Sequence, residues 1–324
     1  MSDTQFTDDQ IAVAAREVLS QFGLSPGSRL TLLAAAHNHV FRVDDRDQRF
    51  VLRLQSGRLS GEATTLQMTW LRAIRRETGL SVPAPVPTIT GAMSVSMEGT
   101  TQSWALLTWV DGEPFRQPDA FVTPSVLEKV GETIARLHAH ASGFRADNIG
   151  VAPAHDVDRL VGRQSCLADG SAKRLLASGD YAALAAAASK IAATMESLTQ
   201  LPDQNGLIHG DLEPGNWVCH GGEPRVIDFD EFGYGLYALD LMGVLWTHIS
   251  WKAYPFFRSA LLKGYTSLRS LPPEVCDALD LIQAAYVFGW LNNGCRLNDR
   301  DARNEFLKWV PSTTAAVSRL CGVG

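Results

Sequence analysis

The amino-acid sequence predicts an α+β chain in which a small lobe built on an antiparallel sheet precedes a larger, helix-rich lobe. Three observations predict it. First, Arg29 to Ala34, His39 to Asp44 and Arg49 to Gln55 are strand-like runs, and the last two are separated only by the polar link Asp44-Asp45-Arg46-Asp47-Gln48, which is hairpin chemistry. Second, Ser125 to Ser142, Tyr181 to Thr199, Ala238 to Gly264, Glu274 to Leu297 and Asp301 to Leu320 carry mostly helical patterns. Third, Ser103 to Val110 is almost wholly apolar, reads as a buried strand, and runs into the turn residues Asp111-Gly112-Glu113-Pro114. The boundary falls at Thr108 to Pro114, giving lobes 1–110 and 111–324.

Taken in order, the small lobe opens with a predicted helix over Asp9 to Phe22, followed by the three strands. From Ser60 to Glu77 apolar residues recur at Leu66, Trp70, Leu71 and Ile74, a helical period, and Gly79 stands where a C-cap glycine would. The run Val82-Pro83-Ala84-Pro85-Val86-Pro87 continues no helix. In the large lobe, the Ala-rich stretch Ala182 to Ala193 reads as a plain, closely packed helix.

Composition narrows the function classes. The 324 residues carry 45% hydrophobic and 20% charged residues, an ordinary globular balance that rules out disorder as the main theme. Lys and Arg number 29 against 35 Asp and Glu, a net charge of -6, and no basic run could track a phosphate backbone, so nucleic acid is not expected as a partner. The five cysteines form no C-x-x-C pair, which speaks against a disulfide framework or a zinc ribbon. Met1 to Gln10 contains Asp3, Asp8 and Asp9 and no apolar core of a leader, and no apolar run is long enough for a membrane span. A cytoplasmic protein, monomeric or homodimeric, is the expectation.

Chemistry concentrates in Leu207-Ile208-His209-Gly210-Asp211-Leu212-Glu213-Pro214-Gly215-Asn216-Trp217 and in Arg225-Val226-Ile227-Asp228-Phe229-Asp230. Two short apolar strands flank a loop that carries Asp211 and, five residues later, Asn216; Asp228 follows twelve residues beyond, at the end of a buried-looking strand. Carboxylate and amide oxygens so placed suit magnesium, a hard cation that shares its remaining positions with water and substrate phosphates. Phosphoryl transfer from ATP needs a carboxylate near the attacking hydroxyl, an amide and a carboxylate for metal, and a cation on the phosphates. A plain polar hairpin would account for one Asp and one Asn but not for the ordered set.

On these motifs the chain resembles the aminoglycoside phosphotransferase and choline kinase-like family of the protein-kinase-like superfamily, over most of its length. The resemblance implies a protein-kinase-like bilobal fold, with ATP and magnesium as cofactors and a small-molecule hydroxyl as acceptor. Leu207 to Asn216 looks like the family's Brenner motif, which implies Asp211 as catalytic base, with His209 beside it in the catalytic set, and Asn216 as magnesium ligand. Asp228 matches the aspartate of the metal-binding motif. Asp240 resembles the helix aspartate that braces the catalytic loop, and Leu137-His138-Ala139-His140 the end of the helix preceding that loop. The string Leu107-Thr108-Trp109-Val110-Asp111-Gly112 resembles the hinge, whose backbone at Thr108 and Val110 would hold adenine.

The small lobe departs from the family pattern. Arg53 in Phe50-Val51-Leu52-Arg53-Leu54 stands in place of the strand lysine; guanidinium grips phosphate bidentately but differs in shape from ammonium. The other reading leaves Arg53 an ordinary surface residue of its strand. Gln67 falls where a helix glutamate would pair with that cation, and Glu62 is the nearby upstream acid. No Gly-rich phosphate loop precedes Arg53. Ala34-Ala35-Ala36-His37-Asn38-His39 occupies its place, and small residues followed by Asn38 would let backbone amides approach phosphates, unless the segment is a plain hairpin.

Other strings take blander readings. Gly233-Tyr234-Gly235-Leu236-Tyr237-Ala238 fits G-x-G-x-x-A, but Asp228, Asp230 and Glu231 would repel a pyrophosphate. His37-Asn38-His39 and His138-x-His140 are expected to be turn and helix-end histidines without Cys or carboxylate partners. Trp246, Trp251, Trp290 and Phe288 are expected mostly in the core. Acids near the site, Asp230, Glu231 and Asp299, favour a cationic acceptor such as an aminoglycoside, choline or a related alcohol; homoserine also falls within the class. The rivals are a Ser/Thr protein kinase of the stress-response type, a nucleotide-binding pseudokinase suggested by Arg53 and Gln67, and a metal-dependent hydrolase using His209, Asp211, Asp228 and Asp230.

Overall fold

The computed structural model describes residues 6–35, 38–55, 59–100, 102–115, 123–297 and 300–323. Two compact units divide the chain: 1–112 with 144–151, and 113–143 with 152–324. The sequence boundary at residue 110 thus lies two residues short of the break after Gly112, and nothing local in 144–151 marks that segment as part of the first unit.

In the first unit, helix α1 (Asp8–Val18) is started by a capping box in which Thr7 Oγ1 accepts from the Gln10 amide while the Thr7 amide donates to Gln10 Oε1. It tightens into a 3-10 turn over Leu19–Phe22. Strands β1 (Arg29–Ala34), β2 (His39–Asp45) and β3 (Gln48–Gln55) form an antiparallel meander. The β2–β3 hairpin closes with Asp45 opposite Gln48, so Arg46-Asp47 is a two-residue loop, and Arg46 takes the φ of 54° that such tight loops demand. Helix α2 (Gly61–Thr78) is capped by Ser60 and ends at Gly79 in the left-handed conformation, φ 69°.

Strands β4 (Pro85–Val86), β5 (Val95–Ser96) and β6 (Ser103–Thr108) complete the sheet, whose order is β1-β2-β3-β6-β4 with β5 also on β6. The period-2 alternation of β3 sorts the two faces. Leu52 and Leu54 join Ile11, Val18, Leu19 and Phe22 of the amino-terminal helical segment in one apolar cluster with Phe41, Val43, Trp104 and Leu106. Arg53 and Gln55 point to the opposite face, where Gln55 Nε2 donates to Gln67 Oε1 of α2 at 3.2 Å. In the apolar run expected to reach Val110 the strand ends at Thr108, although the Trp109 amide still donates to the Arg49 carbonyl at 3.2 Å; Thr108 exchanges bonds with Ala84, its amide donating to the Ala84 carbonyl at 2.8 Å and its Oγ1 accepting the Ala84 amide at 3.0 Å.

The second unit begins with β7 (Glu113–Pro114) and α3 (Pro124–Gly143). After β8 (Ala154–His155) come the short helices α4 (Val157–Leu160) and α5 (Ser171–Leu175), then the Ala-rich α6 (Ser178–Leu198), which buries Leu184, Ala187, Ile191, Met195 and Leu198 along one stripe. Strands β9 (Asn205–Ile208), β10 (Trp217–His220), β11 (Glu223–Val226) and β12 (Gly233–Leu236) build two small sheets, β11-β10-β7 and β8-β12-β9. The G-x-G string is therefore strand β12, with α7 (Tyr237–Gly243) following directly, and supplies no phosphate-binding turn.

The predicted helix over Ala238 to Gly264 is broken. It comprises α7, a 3-10 turn at Trp246–His248 and α8 (Tyr254–Thr266), which starts on Pro255 as helices favour in their first turn. Glu274 to Leu297 likewise divides at Ala278 into α9 (Pro273–Asp277) and α10 (Leu279–Gly294), and α11 (Arg300–Cys321) closes the unit. All five cysteines are free. No helix among the described residues is long and apolar enough to cross a membrane.

Candidate active site

The loop between β9 and β10 carries the first half of the site. Gly210 adopts φ 83°, and a Cβ there would lie 2.1 Å from the Glu231 carbonyl oxygen, so the tight approach of this loop to the Phe229–Glu231 segment requires glycine. Asp240 of α7, fully buried, fastens the loop backbone. Its Oδ2 accepts the His209 amide and its Oδ1 the Gly210 amide, each at 2.8 Å. The same carboxylate accepts from His138 Nε2 at 3.1 Å, and the Tyr265 hydroxyl donates to His138 Nδ1 at 3.1 Å. Burial would raise the Asp240 carboxyl, but the hydrogen bonds it accepts from His138 and the His209 amide outweigh it, and the group sits below its ordinary range. Burial holds His138 below its own, so a neutral imidazole braces an ionised carboxylate. His138 therefore does have a carboxylate partner, 102 residues away in sequence, contrary to the expectation for the His138-x-His140 pair. The other pair is described only from Asn38 on: His37 lies outside the described residues, and His39 Nε2 meets Asp8 Oδ1 at 3.0 Å, so a carboxylate faces it too.

His209 is completely buried with both ring nitrogens engaged. Nδ1 accepts the Asp211 amide at 3.2 Å, which makes Nε2 the donor to the Ile227 carbonyl at 3.0 Å, and the ring packs on Phe229 with centroids 4.4 Å apart. The ring thus ties the Asp211 loop to the Asp228 loop. Asn216 does the complementary work. Its Nδ2 donates to the Asp211 carbonyl at 2.7 Å and to Asp211 Oδ2 at 3.0 Å, which assigns the amide orientation and turns Oδ1 away from Asp211. The Ile227 amide donates to the Asn216 carbonyl at 2.9 Å, so Asp228 follows one residue after a direct tie to Asn216. Asp228 has φ 64°, a left-handed conformation that Asp tolerates better than most residues and that aims its side chain differently from a continuing strand. The structure thus brings Asp211, His209, Asn216 and Asp228 together in the second unit.

Magnesium fits this donor set: an amide oxygen turned away from Asp211 and a carboxylate are both hard donors that would share the ion with phosphate oxygens and water. Among the described residues no group of three or more His, Cys, Asp or Glu side chains is placed to hold an ion.

Sequence reasoning missed the groups around Asp211 that come from distant segments. The Tyr286 hydroxyl of α10 donates to Asp211 Oδ1 at 2.9 Å. Burial, and then the charge of Glu213, push the Asp211 carboxyl well above the ordinary range; Glu231 and Asp228 add to the shift and the Tyr286 bond opposes it. Trp246 Nε1 reaches Glu213 Oε2 at 3.4 Å, and the Trp246 and Trp290 rings lie 5.2 Å apart, with Phe306 4.9 Å from Trp290. Of the aromatics expected in the core, Phe288 is fully buried, Trp246 and Trp290 are half-buried, and Trp251 is 37% exposed. Glu231 Oε2 accepts from Arg159 at 2.6 Å, which offsets part of its charge, and Asp299 lies outside the described residues.

The remaining predicted site residues belong to the first unit. Arg53 is buried, which removes the reading of it as a surface strand residue. Gln67 is buried and bonded to Gln55, while Glu62 is exposed. Asn38 directly precedes β2; Ala36 and His37 of the same segment lie outside the described residues. Thr108 ends β6, Val110 is buried, and between them the Trp109 ring takes the guanidinium groups of Arg42 and Arg49, each 5.7 Å from its centroid.

An antiparallel-sheet unit, a helix-rich unit and an acid-bearing loop braced by a buried helix aspartate define a phosphotransferase of the protein-kinase-like class. Residues 29–276, well over half of the chain, match the phosphotransferase enzyme family, APH, and the chain belongs to that family. Amicoumacin kinase of Bacillus subtilis (strain 168) is similar over 280 residues at 22% identity, covering 83% of this chain and 79% of the relative. Among solved structures, the microcompartment-associated aminopropanol kinase superposes with a TM-score of 0.81 at 21% identity over 96% of this chain and 98% of its own. Amicoumacin kinase hAmiN, solved with AMP-PNP, Ca²⁺ and Ami, gives a TM-score of 0.74 at 19% identity over 95% and 94%.

Proposed function

We propose that this protein moves the γ-phosphate of ATP, in a magnesium-dependent reaction, onto a hydroxyl of a small, positively charged molecule. The observation that carries the reading is the Asp211 carboxylate, held on both oxygens by Asn216 and Tyr286 on a loop whose backbone is tied to Asp240. Asp211 orients the acceptor hydroxyl and takes its proton; Asn216 Oδ1 and Asp228 hold the metal; Arg53 serves the phosphates, with Gln67 and the Asn38 backbone beside that task; and the backbone at Thr108 and Val110 serves adenine. Magnesium, when bound, draws negative charge from the β- and γ-phosphates. Family membership supports the reaction class, and the AMP-PNP and Ca²⁺ named with the amicoumacin kinase structure support a nucleotide and a divalent ion. Glu213, presented beside the half-buried Trp246 and Trp290, supports an ammonium-bearing acceptor, since a carboxylate and indole faces both attract cations. The names of the amicoumacin and aminopropanol kinases agree with a small-molecule alcohol.

The test is ADP release from Mg-ATP with a pooled set of small hydroxyl compounds, amino alcohols and their neutral isosteres together, with mass spectrometry for any compound that gains a phosphate. Asp211→Asn is run alongside. A phosphorylated amino alcohol is expected, with turnover at least about a hundredfold lower in the variant, the scale on which lost orientation and proton transfer act. Retained activity in Asp211→Asn overturns the base assignment, and preference for neutral isosteres overturns the cationic acceptor. A labelled band from mixed cellular protein with γ-labelled ATP would move the reading to a protein kinase.

A further inference from the structure

We propose that Tyr286 is a positioning residue for phosphoryl transfer, its hydroxyl fixing the plane of the Asp211 carboxylate so that one lone pair of Oδ1 faces the acceptor hydroxyl. The inference rests on the reading of Asp211 as the group that receives the acceptor's proton.

Asp211 sits on a loop, and the torsion that sets the plane of a carboxylate is broad and roughly two-fold. Asn216, five residues away on the same loop, holds Oδ2 alone, which leaves the plane free to swing about that contact. The bond from Tyr286 to Oδ1, at 2.9 Å, comes from a different element, helix α10, and removes the remaining freedom. An ionised carboxylate offers about four acceptor sites, so one bond to each oxygen leaves a site on Oδ1 for the incoming hydroxyl. Burial and the nearby carboxylates push the phenol well above its ordinary range, which keeps Tyr286 a donor.

The seat of the ring is built for this placement. A Cβ on Gly243 would lie 2.7 Å from Cε2 and 2.9 Å from Cζ of Tyr286, so only glycine lets the phenol lie against α7. Gln283, one turn before Tyr286, donates from Nε2 to the Met242 carbonyl at 2.7 Å and accepts the Tyr254 hydroxyl at 3.0 Å, which fixes the register of α10 on α7. Asp240 lies three residues before Gly243 on α7. One short helix therefore holds the backbone at 209–210 through Asp240 and the side chain of Asp211 through the seated Tyr286. A merely structural tyrosine would not need its hydroxyl aimed at the reacting carboxylate.

The experiment measures kcat and both KM values for Tyr286→Phe, which keeps the ring and its packing, in the wild-type and Asp211→Asn backgrounds, with the melting temperature of each protein. A misplaced base loses rate in the chemical step, so kcat is expected to fall about tenfold or more while the KM for Mg-ATP stays within about twofold. In the Asp211→Asn background the same substitution is expected to change the residual turnover little, because the two groups act as a unit. Gly243→Ala, which retains the hydroxyl but displaces the ring, is expected to lower kcat and to add nothing to Tyr286→Phe. Wild-type kcat in Tyr286→Phe, or an equal loss in both backgrounds, overturns the inference while a strong Asp211→Asn defect leaves the phosphotransferase reading intact. If the wild type transfers no phosphate, that reading fails and this inference with it.

Discussion

His155 shows what the packing around the loop at 209–216 demands of a single side chain. Its Nε2 donates to the Glu231 carbonyl at 2.7 Å, and its ring lies where a Cβ on Gly210 would come within 2.8 Å of Cε1. Burial first, and the charge of Arg159 second, bring the imidazole down from 6.5 to about 4. The folded state therefore takes up this proton later than the unfolded chain does. Stability from the neutral ring is full above about pH 6.5, and it is lost as pH falls through the window to about 4; a shift of this size corresponds to roughly 3 kcal/mol. Buried His138, lowered in the same direction, contributes in the same sense. The urea midpoint is expected to fall on acidification across that window and to fall less steeply in His155→Gln, which keeps a donor for Glu231 but does not titrate. Parallel pH profiles for the two proteins would show that His155 is not the source. Neither this histidine nor Tyr286 was legible in the sequence, since the partners of each lie more than seventy residues away and no motif records them. Asp211, Asn216 and Asp228 were legible because their spacing along two adjoining loops is itself the geometry.

Elements with a strong period and clear punctuation matched expectation. Strands β2 and β3 flank the polar Arg46-Asp47 turn, and α2 is capped by Ser60 and stops at Gly79. Elements set by their neighbours did not. Strand β12 has four residues, two of them glycine, and exists because β8 and β9 flank it. The break between α7 and α8 was hidden because apolar residues keep a helical period through Trp246 and Trp251, although Trp246 turns toward Glu213 and Trp251 toward His248. Helix α11 is the opposite case: it runs through Pro311, an exposed residue that lacks an amide to donate and crowds the preceding turn. Pro311→Ala restores a helical bond without disturbing buried packing, and the loss of unfolded-state rigidity offsets part of the gain. A net stabilisation of about 1 kcal/mol is expected, read as a melting temperature higher by a few degrees. A lower melting temperature would mean that the packing of α11 uses a bend at Pro311.

At the scale of the whole molecule, function is coupled to stability through whatever binds the folded state alone. The proposed donor set of Asn216 Oδ1 and Asp228 is assembled by the ties of Ile227 to Asn216 and of Asn216 to Asp211, so the unfolded chain would offer no equivalent site. The local acid excess, with Asp211 raised first by burial and then by Glu213, Glu231 and Asp228, would favour a divalent cation further, because bound metal relieves repulsion that folding has built in. A non-hydrolysable ATP analogue with magnesium at about a hundred times its dissociation constant is expected to stabilise the protein by about 2.7 kcal/mol, and the shift in melting temperature should follow the logarithm of ligand concentration. Chelating the metal, or replacing Asp228 by Gly, is expected to remove most of that shift while leaving the melting temperature of the unliganded protein nearly unchanged or higher, since glycine takes the left-handed conformation at no steric cost and one carboxylate of a repelling group is lost. A shift that survives both treatments would show that the nucleotide binds without metal held at Asn216 and Asp228, and the assignment of those two residues would have to be withdrawn.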